Sequence, residues 1–374
     1  MNYQHQIYHS ILEVPENWNT IAQGSIFLQK DFLLAIEKAA PANLVHQYVG
    51  IFQESNLVAV ALIQQIDLNQ LQTFGVRDHF LKIKIRDFLF KYFAGKLLIV
   101  GNNLMTGQHA ISFSPQTSQS EVLTYLKTIV CPEFSNKHLE IFKDFPEDDL
   151  GFFEEAVFQK SLRFTSQPSM FFTLDTAWVT EQDYVNALSK KYRDQYKRCR
   201  KKAHSIQKRP LDLSEIRLHE SRIHELYLHV AQNAPFNTFL LPNNHFSSLK
   251  EHMGDSFQLF GYFEEEQLIA FYTLFQHDEL LETYFLGYDP VIQKEKMLYL
   301  NMLYDMVACA IENGFKQIQF GRTAMEIKSS IGAVPVPMYA FMQHVNPLIN
   351  RFLNTFFHAL EPEINWIQRH PFKN

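Results

Sequence analysis

The chain contains an internal repeat, and this feature sets its architecture. Residues 46–67 recur without a gap 211 positions later as residues 257–278, and eight of the 22 positions are identical. In each copy an apolar run ends in an Asn-rich or Glu-rich turn, and a second apolar run follows, as in a β-hairpin. Hairpins resemble one another in composition, but an ungapped match over 22 residues demands more than hairpin propensity. The repeat therefore predicts two copies of one fold.

Length and composition agree with two domains. The 374 residues exceed a typical domain of ~100–200 residues, and 46% hydrophobic with 20% charged residues is a globular composition. The net charge of −6 excludes a polycation that coats nucleic acid, so any anion site is local. Because we find no leader, no integral membrane segment of ~18 apolar residues and no cysteine pattern, we expect a cytoplasmic protein.

Strand and helix patterns alternate along the whole chain. We predict an α/β (α+β) fold with two domains, each a mixed twisted sheet flanked by helices, at 1–162 and 163–346, followed by a helical tail at 347–374. The predicted helices are 29–39, 81–93, 121–129, 184–206, 220–231 and 297–313, and the predicted strands outside the repeat are 96–101, 138–142, 170–174, 280–286 and 315–320.

The strongest charge feature is a basic helix that Thr180 and Asp183 open as a capping-box-like pair and Pro210 ends. One face of this helix is apolar and the opposite face is cationic. The cationic face predicts a site for phosphates of a cofactor, a nucleic acid or a lipid headgroup. The alternative is a solvated helix face, although acidic partners are nearly absent. The cations are Lys190, Lys191, Arg193, Lys197, Arg198, Arg200, Lys201, Lys202, Lys208 and Arg209.

Several chemistries lack their central motif. His224 and His229 are five residues apart, so they do not share a helix face as the HExxH zinc motif requires. The sequence has no GxSxG elbow and no GxxxxGK[ST] loop, which excludes the corresponding hydrolases and P-loop NTPases. We therefore expect no metal site.

The segment 280–338 resembles the second half of a GCN5-related N-acetyltransferase (GNAT) domain. It runs from a strand ending in YDP through a helix closed by Asn313 and Gly314 to a strand ending in FGR and then EIKSSIGA. The basic helix at 188–203, GNNLMTG at 101–107 and FKDF at 142–145 extend the resemblance to the tandem-domain branch. That branch includes Fem-type peptidyltransferases and bacterial peptidoglycan biosynthesis/recognition acetyltransferases.

This resemblance implies two parallel strands that splay apart around an acyl donor, whose pyrophosphate binds at a Gly-rich loop and helix N-terminus. Here the loop 289–296 reads DPVIQKEK and has no glycine. Gln293, Lys294 and Lys296 could hold phosphates of acetyl-CoA or another acyl-CoA by their side chains. Alternatively the donor is aminoacyl-tRNA, as in Fem-type enzymes.

In the Fem branch a Phe-Lys pair after the last core strand, followed by a glycine, stabilises the developing oxyanion. Ile327, Lys328 and Gly332 match that pattern, so the resemblance implies that Lys328 is catalytic. Arg322, directly after the strand, is a predicted phosphate or carboxylate ligand.

The acceptor amine must lose a proton, which a carboxylate or tyrosine can accept. Glu282 and Tyr284 lie on one predicted strand face and are the catalytic candidates. The predicted substrate-binding residues are Tyr288, Asn237, Lys197 and Arg198.

We therefore expect an N-acyltransferase that uses acyl-CoA and an amine on a small molecule, peptide or amino sugar, with chemistry in the second domain. A Fem-like enzyme that uses aminoacyl-tRNA is the alternative. Two further alternatives are a non-catalytic module that binds tRNA or an anionic lipid-linked precursor, and a structural protein that forms a homo-oligomer through its Phe-rich tail.

Overall fold

A computed structural model describes residues 3–70, 94–165, 167–234, 237–355 and 366–373. The predicted helix 81–93 and part of the predicted tail helix lie outside these ranges. The chain divides into two compact units. The first comprises Met1–Ser166, Pro235–Pro242 and Pro337–Glu363, and the second Gln167–Ala234, Asn243–Val336 and Ile364–Asn374. Each unit has one mixed sheet flanked by helices, which confirms the predicted fold class.

The sheet of the first unit has the order β1-β2-β3-β4-β6-β15-β7, and β5 pairs with β3. Its parallel pair is β4–β6, and the other pairs are antiparallel. The strands are β1 Tyr3–Tyr8, β2 Leu44–Gln53, β3 Asn56–Asp67, β4 Lys96–Val100, β5 Ile111–Phe113, β6 Leu139–Phe145, β7 Leu162–Thr165 and β15 Tyr339–His344. The helices are α1 Trp18–Ile21, α2 Lys30–Lys38, α3 Gln119–Tyr125, α4 Cys131–Glu133 and α13 Pro347–Asn350, with a π-helical turn at Leu126–Val130.

The sheet of the second unit has the order β14-β8-β13-β12-β11-β10-β9, with β12–β13 as its parallel pair. Its strands are β8 Ser169–Thr173, β9 Gln207–Leu211, β10 Phe257–Glu264, β11 Gln267–His277, β12 Leu280–Tyr288, β13 Gln317–Gln319 and β14 Val334–Val336. Its helices are α5 Glu181–Ala187, α6 Lys190–Lys202, α7 Leu213–Leu218, α8 Glu220–Ala231, α9 His245–Met253, α10 Pro290–Lys296, α11 Leu298–Glu312 and α12 Met325–Ser329.

The two hairpins β2–β3 and β10–β11 confirm the repeat in detail. Each has an irregularity in strand register at the equivalent pair, Ile51/Phe52 in the first copy and Tyr262/Phe263 in the second. The turn residues with positive φ are equivalent as well, at 54–55 and 265–266. The repeated sequence therefore encodes the same hairpin twice, including its bulge and its turn.

The predicted helix 184–206 is wrong as a single element. It is two helices, α5 and α6, because Leu188 between them is extended and its backbone neighbours bond the chain's C-terminal segment. Ala187 O accepts from Lys373 N, and Ser189 N donates to Pro371 O. Lys208 and Arg209, predicted on the basic helix, lie on the edge strand β9.

The observed units differ from the predicted domain boundaries near the end of the chain. Strand β15, predicted within the second domain, pairs with β6 and β7 in the sheet of the first unit. Residues 366–373 belong to the second unit, where the Phe372 ring packs against Phe172, Trp178 and Tyr184. We call residues 366–373 the strap.

Candidate functional site

The central strands of the second unit diverge. Strand β12 pairs with β13 only from Leu280 to Glu282, opposite Gln317 to Gln319, and then continues to Tyr288. In the described part of the chain, no strand pairs with the β13-facing edge of residues 283–288. A strand edge that no neighbouring strand covers can take up an added backbone segment, so this divergence is a place where a ligand can add to the sheet.

Glu282 and Tyr284 lie at the divergence. Glu282 is buried, and its Oε2 is 3.4 Å from Nε2 of His277. Tyr284 is partly exposed, and its hydroxyl is 3.0 Å from Nε2 of the buried His245, the first residue of α9. Burial of the hydroxyl, together with Tyr227 and Glu282 nearby, raises the pKa of Tyr284 well above its usual value. The structure therefore places a carboxylate and a neutral phenol side by side.

Tyr288 does not join them. Strand β12 has one extra residue relative to β11 between Thr283 and Leu286, and this bulge reverses the alternation of side chains. Tyr288 packs with the core cluster on the other side of the sheet, with its ring 6.3 Å from that of Tyr299. Tyr288, predicted to bind substrate, therefore lies on the opposite face of the sheet from Glu282 and Tyr284.

The sequence analysis missed His245 and His277. His277 stands where the first copy of the repeat has Ile66, and a histidine replacing a buried isoleucine is a signal that could have identified it. Phe275 and Gln64 occupy equivalent positions of the repeat. Because Glu282 pairs with Phe275 and Ile99 pairs with Gln64, Glu282 is the structural equivalent of Ile99. For His245, outside the repeat, we find no sequence signal.

Lys328 is buried on the short helix α12. Its Nζ donates to the carbonyl oxygens of Phe320 at 2.7 Å and Arg322 at 2.6 Å, with that of Gly321 at 3.5 Å. Burial lowers the pKa of Lys328 to about 7. The amine therefore holds the turn after β13, where Gly321 has φ +64°. The contact of Lys328 with an oxyanion stays a prediction.

The predicted donor-phosphate loop is the helix α10. Pro290 occupies its first turn, and the Asp289 carboxylate caps it by accepting from Val291 N at 2.9 Å and Ile292 N at 3.4 Å. Arg222 lies 3.5 Å from the other carboxylate oxygen of Asp289. A negative side chain thus occupies the N–H groups to which a pyrophosphate would bind, and these residues do not fit coenzyme A in that position.

The predicted side-chain phosphate ligands are dispersed. Lys296 pairs with Glu264 at 2.9 Å and lies 3.2 Å from the Ser205 hydroxyl, and the hydrogen bond that Lys296 donates to Glu264 raises the pKa of Lys296. Lys294 is exposed and Gln293 is partly exposed on α10. Arg322 is partly exposed after β13. The structure does not bring these four side chains into one described cluster.

Helix α6 has a cationic face and an anchored face. Arg200 points inward, where it donates to Asp305 at 2.8 Å and pairs with Glu181, and Tyr262 donates to the same Asp305 carboxylate. Within the described ranges, no carboxylate lies at ion-pair distance from the cations of the other face, and all but the partly exposed Arg193 are exposed. That face comprises Lys190, Lys191, Arg193, Lys197, Arg198, Lys201 and Lys202.

Asn237, a predicted substrate ligand near the second domain's groove, belongs to the first unit. Its neighbour Thr238 accepts from Asn103 at its hydroxyl and from Asn43 at its carbonyl. These bonds fix the segment against the loop that follows β4.

Among the described residues, no group of three His, Cys, Asp or Glu side chains is arranged to hold a metal ion. No helix in the same ranges is long and apolar enough to cross a membrane.

Two repeated mixed sheets, each with one parallel pair at its centre and with that pair divergent in the second unit, define a tandem GNAT-like fold. Among solved structures, FemX matches at 10% identity over 96% of this chain and 100% of that chain, with a TM-score of 0.52. A tandem GNAT protein from the clavulanic acid biosynthesis pathway matches at 8% identity over 92% and 99%, with a TM-score of 0.50. A protein of unknown function from Bacteroides thetaiotaomicron VPI-5482 matches at 11% identity over 87% and 95%, with a TM-score of 0.50.

At these identities the structural matches show the fold alone. The sequence adds the family: residues 111–374 match the model of the FemAB-like family, described as peptidoglycan biosynthesis/recognition. The chain belongs to this family, which confirms the resemblance inferred from the sequence. No curated protein matches the sequence.

Proposed function

We propose that this protein is a Fem-type transferase that moves an aminoacyl or acyl group to an amine, with its chemistry in the second unit. The observation that carries the proposal is the divergence of β12 from β13 at Glu282 and Gln319. A donor chain in that gap can bond the unpaired edge of β12 while its carbonyl carbon lies near Glu282 and Tyr284. The first unit has Ile99 at the position of Glu282, so we assign it a binding role.

In this proposal Glu282 accepts the proton of the attacking amine. General acid–base catalysis of this kind typically contributes ~10²–10⁴-fold in rate. Tyr284 stays protonated at neutral pH because its pKa is raised, and it orients the acceptor by hydrogen bonding. Lys328 supports the oxyanion if one of its backbone bonds is exchanged for the donor carbonyl.

For the donor, two features favour an aminoacyl group carried by RNA over acyl-CoA. Asp289 caps the helix at which a pyrophosphate would bind, and its charge repels phosphate. The cationic face of α6, by contrast, has seven side chains with no described carboxylate partner, and a run of phosphates neutralises such a face with counterion release. Lys197 and Arg198 are central to this surface.

For the acceptor, the family description favours a peptidoglycan precursor, whose peptide carries a primary amine. Recognition without catalysis is the second candidate function. It is supported by the backbone carbonyls of Phe320 and Arg322, which already accept hydrogen bonds from Lys328, so that contact with a donor carbonyl requires one of these bonds to break.

A transfer assay tests the proposal. The purified protein is mixed with a peptidoglycan-precursor pentapeptide and either a charged tRNA pool or acetyl-CoA, and product amide is measured by mass spectrometry. We expect product with charged tRNA, and we expect Glu282→Gln to lower kcat by about 10² or more. Product from acetyl-CoA alone would contradict the donor assignment, and binding of precursor without product from either donor would favour the recognition protein.

Charge reversal tests the α6 surface separately. Lys197→Glu/Arg198→Glu should raise KM for tRNA strongly at low salt and leave KM for the precursor unchanged. The matched control is Lys38→Glu/Lys160→Glu, which changes net charge equally at two exposed lysines of the first unit. Equal effects of the two double variants would contradict a specific role of α6.

A further inference from the structure

The two candidate catalytic side chains of β12 each contact one histidine from another element. His277, at the end of β11, lies 3.4 Å from Glu282, and His245, at the start of α9, lies 3.0 Å from the Tyr284 hydroxyl. A buried carboxylate is stabilised by hydrogen-bond donors, and Nε2 of His277 lies within hydrogen-bonding distance of Glu282. Only 2% of the Glu282 side chain is exposed, against 15% of His277.

Comparison of the two copies shows that the fold does not need this pair. The equivalents of His277 and Glu282 in the first unit are Ile66 and Ile99, and both belong to one apolar cluster. Both positions are therefore compatible with an apolar core, and the second copy carries an acid and its partner together. The equivalent of Tyr284, two residues after Ile99, is Gly101.

We propose that His277 and His245 are positioning residues for the transfer reaction: His277 orients the Glu282 carboxylate as the proton acceptor, and His245 fixes the Tyr284 hydroxyl. This inference rests on the proposed function. It extends the site from two residues to four, drawn from β11, β12 and α9.

The step balances as follows in atoms and protons. The neutral amine attacks the donor carbonyl carbon, which forms the C–N bond and places negative charge on the carbonyl oxygen. Glu282 takes the proton from the attacking nitrogen. As the tetrahedral intermediate collapses, the ester C–O bond of the aminoacyl donor breaks and Glu282 returns the proton to the leaving oxygen. His277 holds the Glu282 carboxylate in place and takes no part in the proton transfer.

A set of four variants tests the His277 role by steady-state transfer kinetics. His277→Ile copies the first unit and removes the donor, whereas His277→Gln keeps an N–H donor. We expect His277→Ile to lower kcat by about 10-fold to 10²-fold with KM unchanged, and His277→Gln to recover most of that loss. Glu282→Ile and His277→Ile/Glu282→Ile complete a double-mutant cycle. We expect His277→Ile to cause no further loss of kcat in the protein that already carries Glu282→Ile.

For His245, Tyr284→Phe and His245→Phe should lower kcat by the same factor, singly and together, because each removes one end of the same hydrogen bond. Wild-type kcat in both His277 variants, or an equal loss from His277→Ile with and without Glu282, would overturn the proposal for His277. Full activity in His245→Phe would overturn it for His245.

A second readout separates this inference from the proposed function. The ¹⁵N chemical shifts of His277 report which ring nitrogen carries the proton, and we expect Nε2–H in the wild type and a mixture of tautomers in Glu282→Gln. The wild type could give no product from either donor while the tautomer of His277 still differs between the wild type and Glu282→Gln. That result would overturn the proposed function but keep the pair of His277 and Glu282. An unchanged tautomer in Glu282→Gln would overturn the pairing itself.

Discussion

At the scale of single residues, two positions show how backbone proximity determines what is tolerated. Gly287 lies on β12 where α8 crosses it, and a Cβ there would come within 2.5 Å of the backbone of Leu226 and Tyr227. Lys328 is surrounded by backbone carbonyls. In both cases the constraint comes from main chain that side-chain rearrangement cannot relieve.

Gly287→Ala should therefore destabilise the protein by about 1–3 kcal/mol, because the helix must move away from the strand. Chemical denaturation followed by circular dichroism measures the change. Gly24→Ala is the control, since a Cβ there meets nothing within 4 Å and should change stability by less than about 0.5 kcal/mol. Equal stability of both variants would show that α8 does not pack on Gly287.

Lys328 should make stability depend on pH. Its pKa is about 7 in the folded chain against an ordinary value of 10.5, so between these values the unfolded state binds the extra proton. The free energy of unfolding of the wild type should then rise relative to Lys328→Met by up to about 1.4 kcal/mol per pH unit over this window. Below pH 7 the dependence on pH ends, because the amine binds its proton in both the folded and the unfolded state.

Urea unfolding at pH 6.5, 7.5 and 8.5 measures this difference. Lys316→Met is the control for the loss of a lysine, because Lys316 is exposed on the surface. A flat difference for Lys328→Met would show that the amine stays charged in the folded chain across the range.

At the scale of elements, α6 combines an anchored face with a cationic one. Arg200 joins it to Asp305 on α11 and to Glu181 on α5, and Asn301 on α11 donates to the carbonyl of Cys199. The sequence predicted the charges of α6 but not that Arg200 differs from the other cations. Helical spacing alone does not show that carboxylates on α5 and α11 lie next to Arg200.

Arg200→Met should lower the free energy of unfolding by about 2–4 kcal/mol, since it removes the nearest cation from the two partly buried carboxylates of Glu181 and Asp305. Arg198→Met, two residues earlier on the exposed face, should be nearly neutral. Thermal unfolding of the two variants makes the comparison. Similar losses would mean that Arg200 is not the anchor.

The elements also show where prediction from sequence succeeds. The hairpins, α8, α11 and the strand of Glu282 and Tyr284 follow local periodicity, and the structure has them near the predicted bounds. The bulge in β12 and the break between α5 and α6 depend on partners far along the chain, β11 and the strap, and so leave no local pattern. His277 was visible only by comparing the two copies.

At the scale of the whole molecule, the two units interleave along the chain. The first sheet takes β15 from near the C-terminal end, between β6 and β7, and the second unit takes the strap. Domain boundaries predicted from composition cannot show this, because β15 reads locally like any strand that follows the second sheet.

Deletion of residues 337–374 should therefore unfold both units, whereas deletion of residues 366–374 should affect the second unit alone. Hydrogen exchange of the β6 and β4 amides distinguishes these outcomes: they should lose protection in the longer deletion and keep it in the shorter one. Protected β6 amides in the longer deletion would show that β15 is dispensable to the first sheet.

The interleaving also has a consequence for synthesis. Strands β6 and β7 leave the ribosome roughly 200 residues before β15, the strand that joins them. At about 5–20 residues per second, the nascent first unit waits roughly 10–40 s with two open strand edges. Such edges pair readily with other chains. The first unit therefore completes its sheet only late in translation, after nearly all of the second unit has been synthesised.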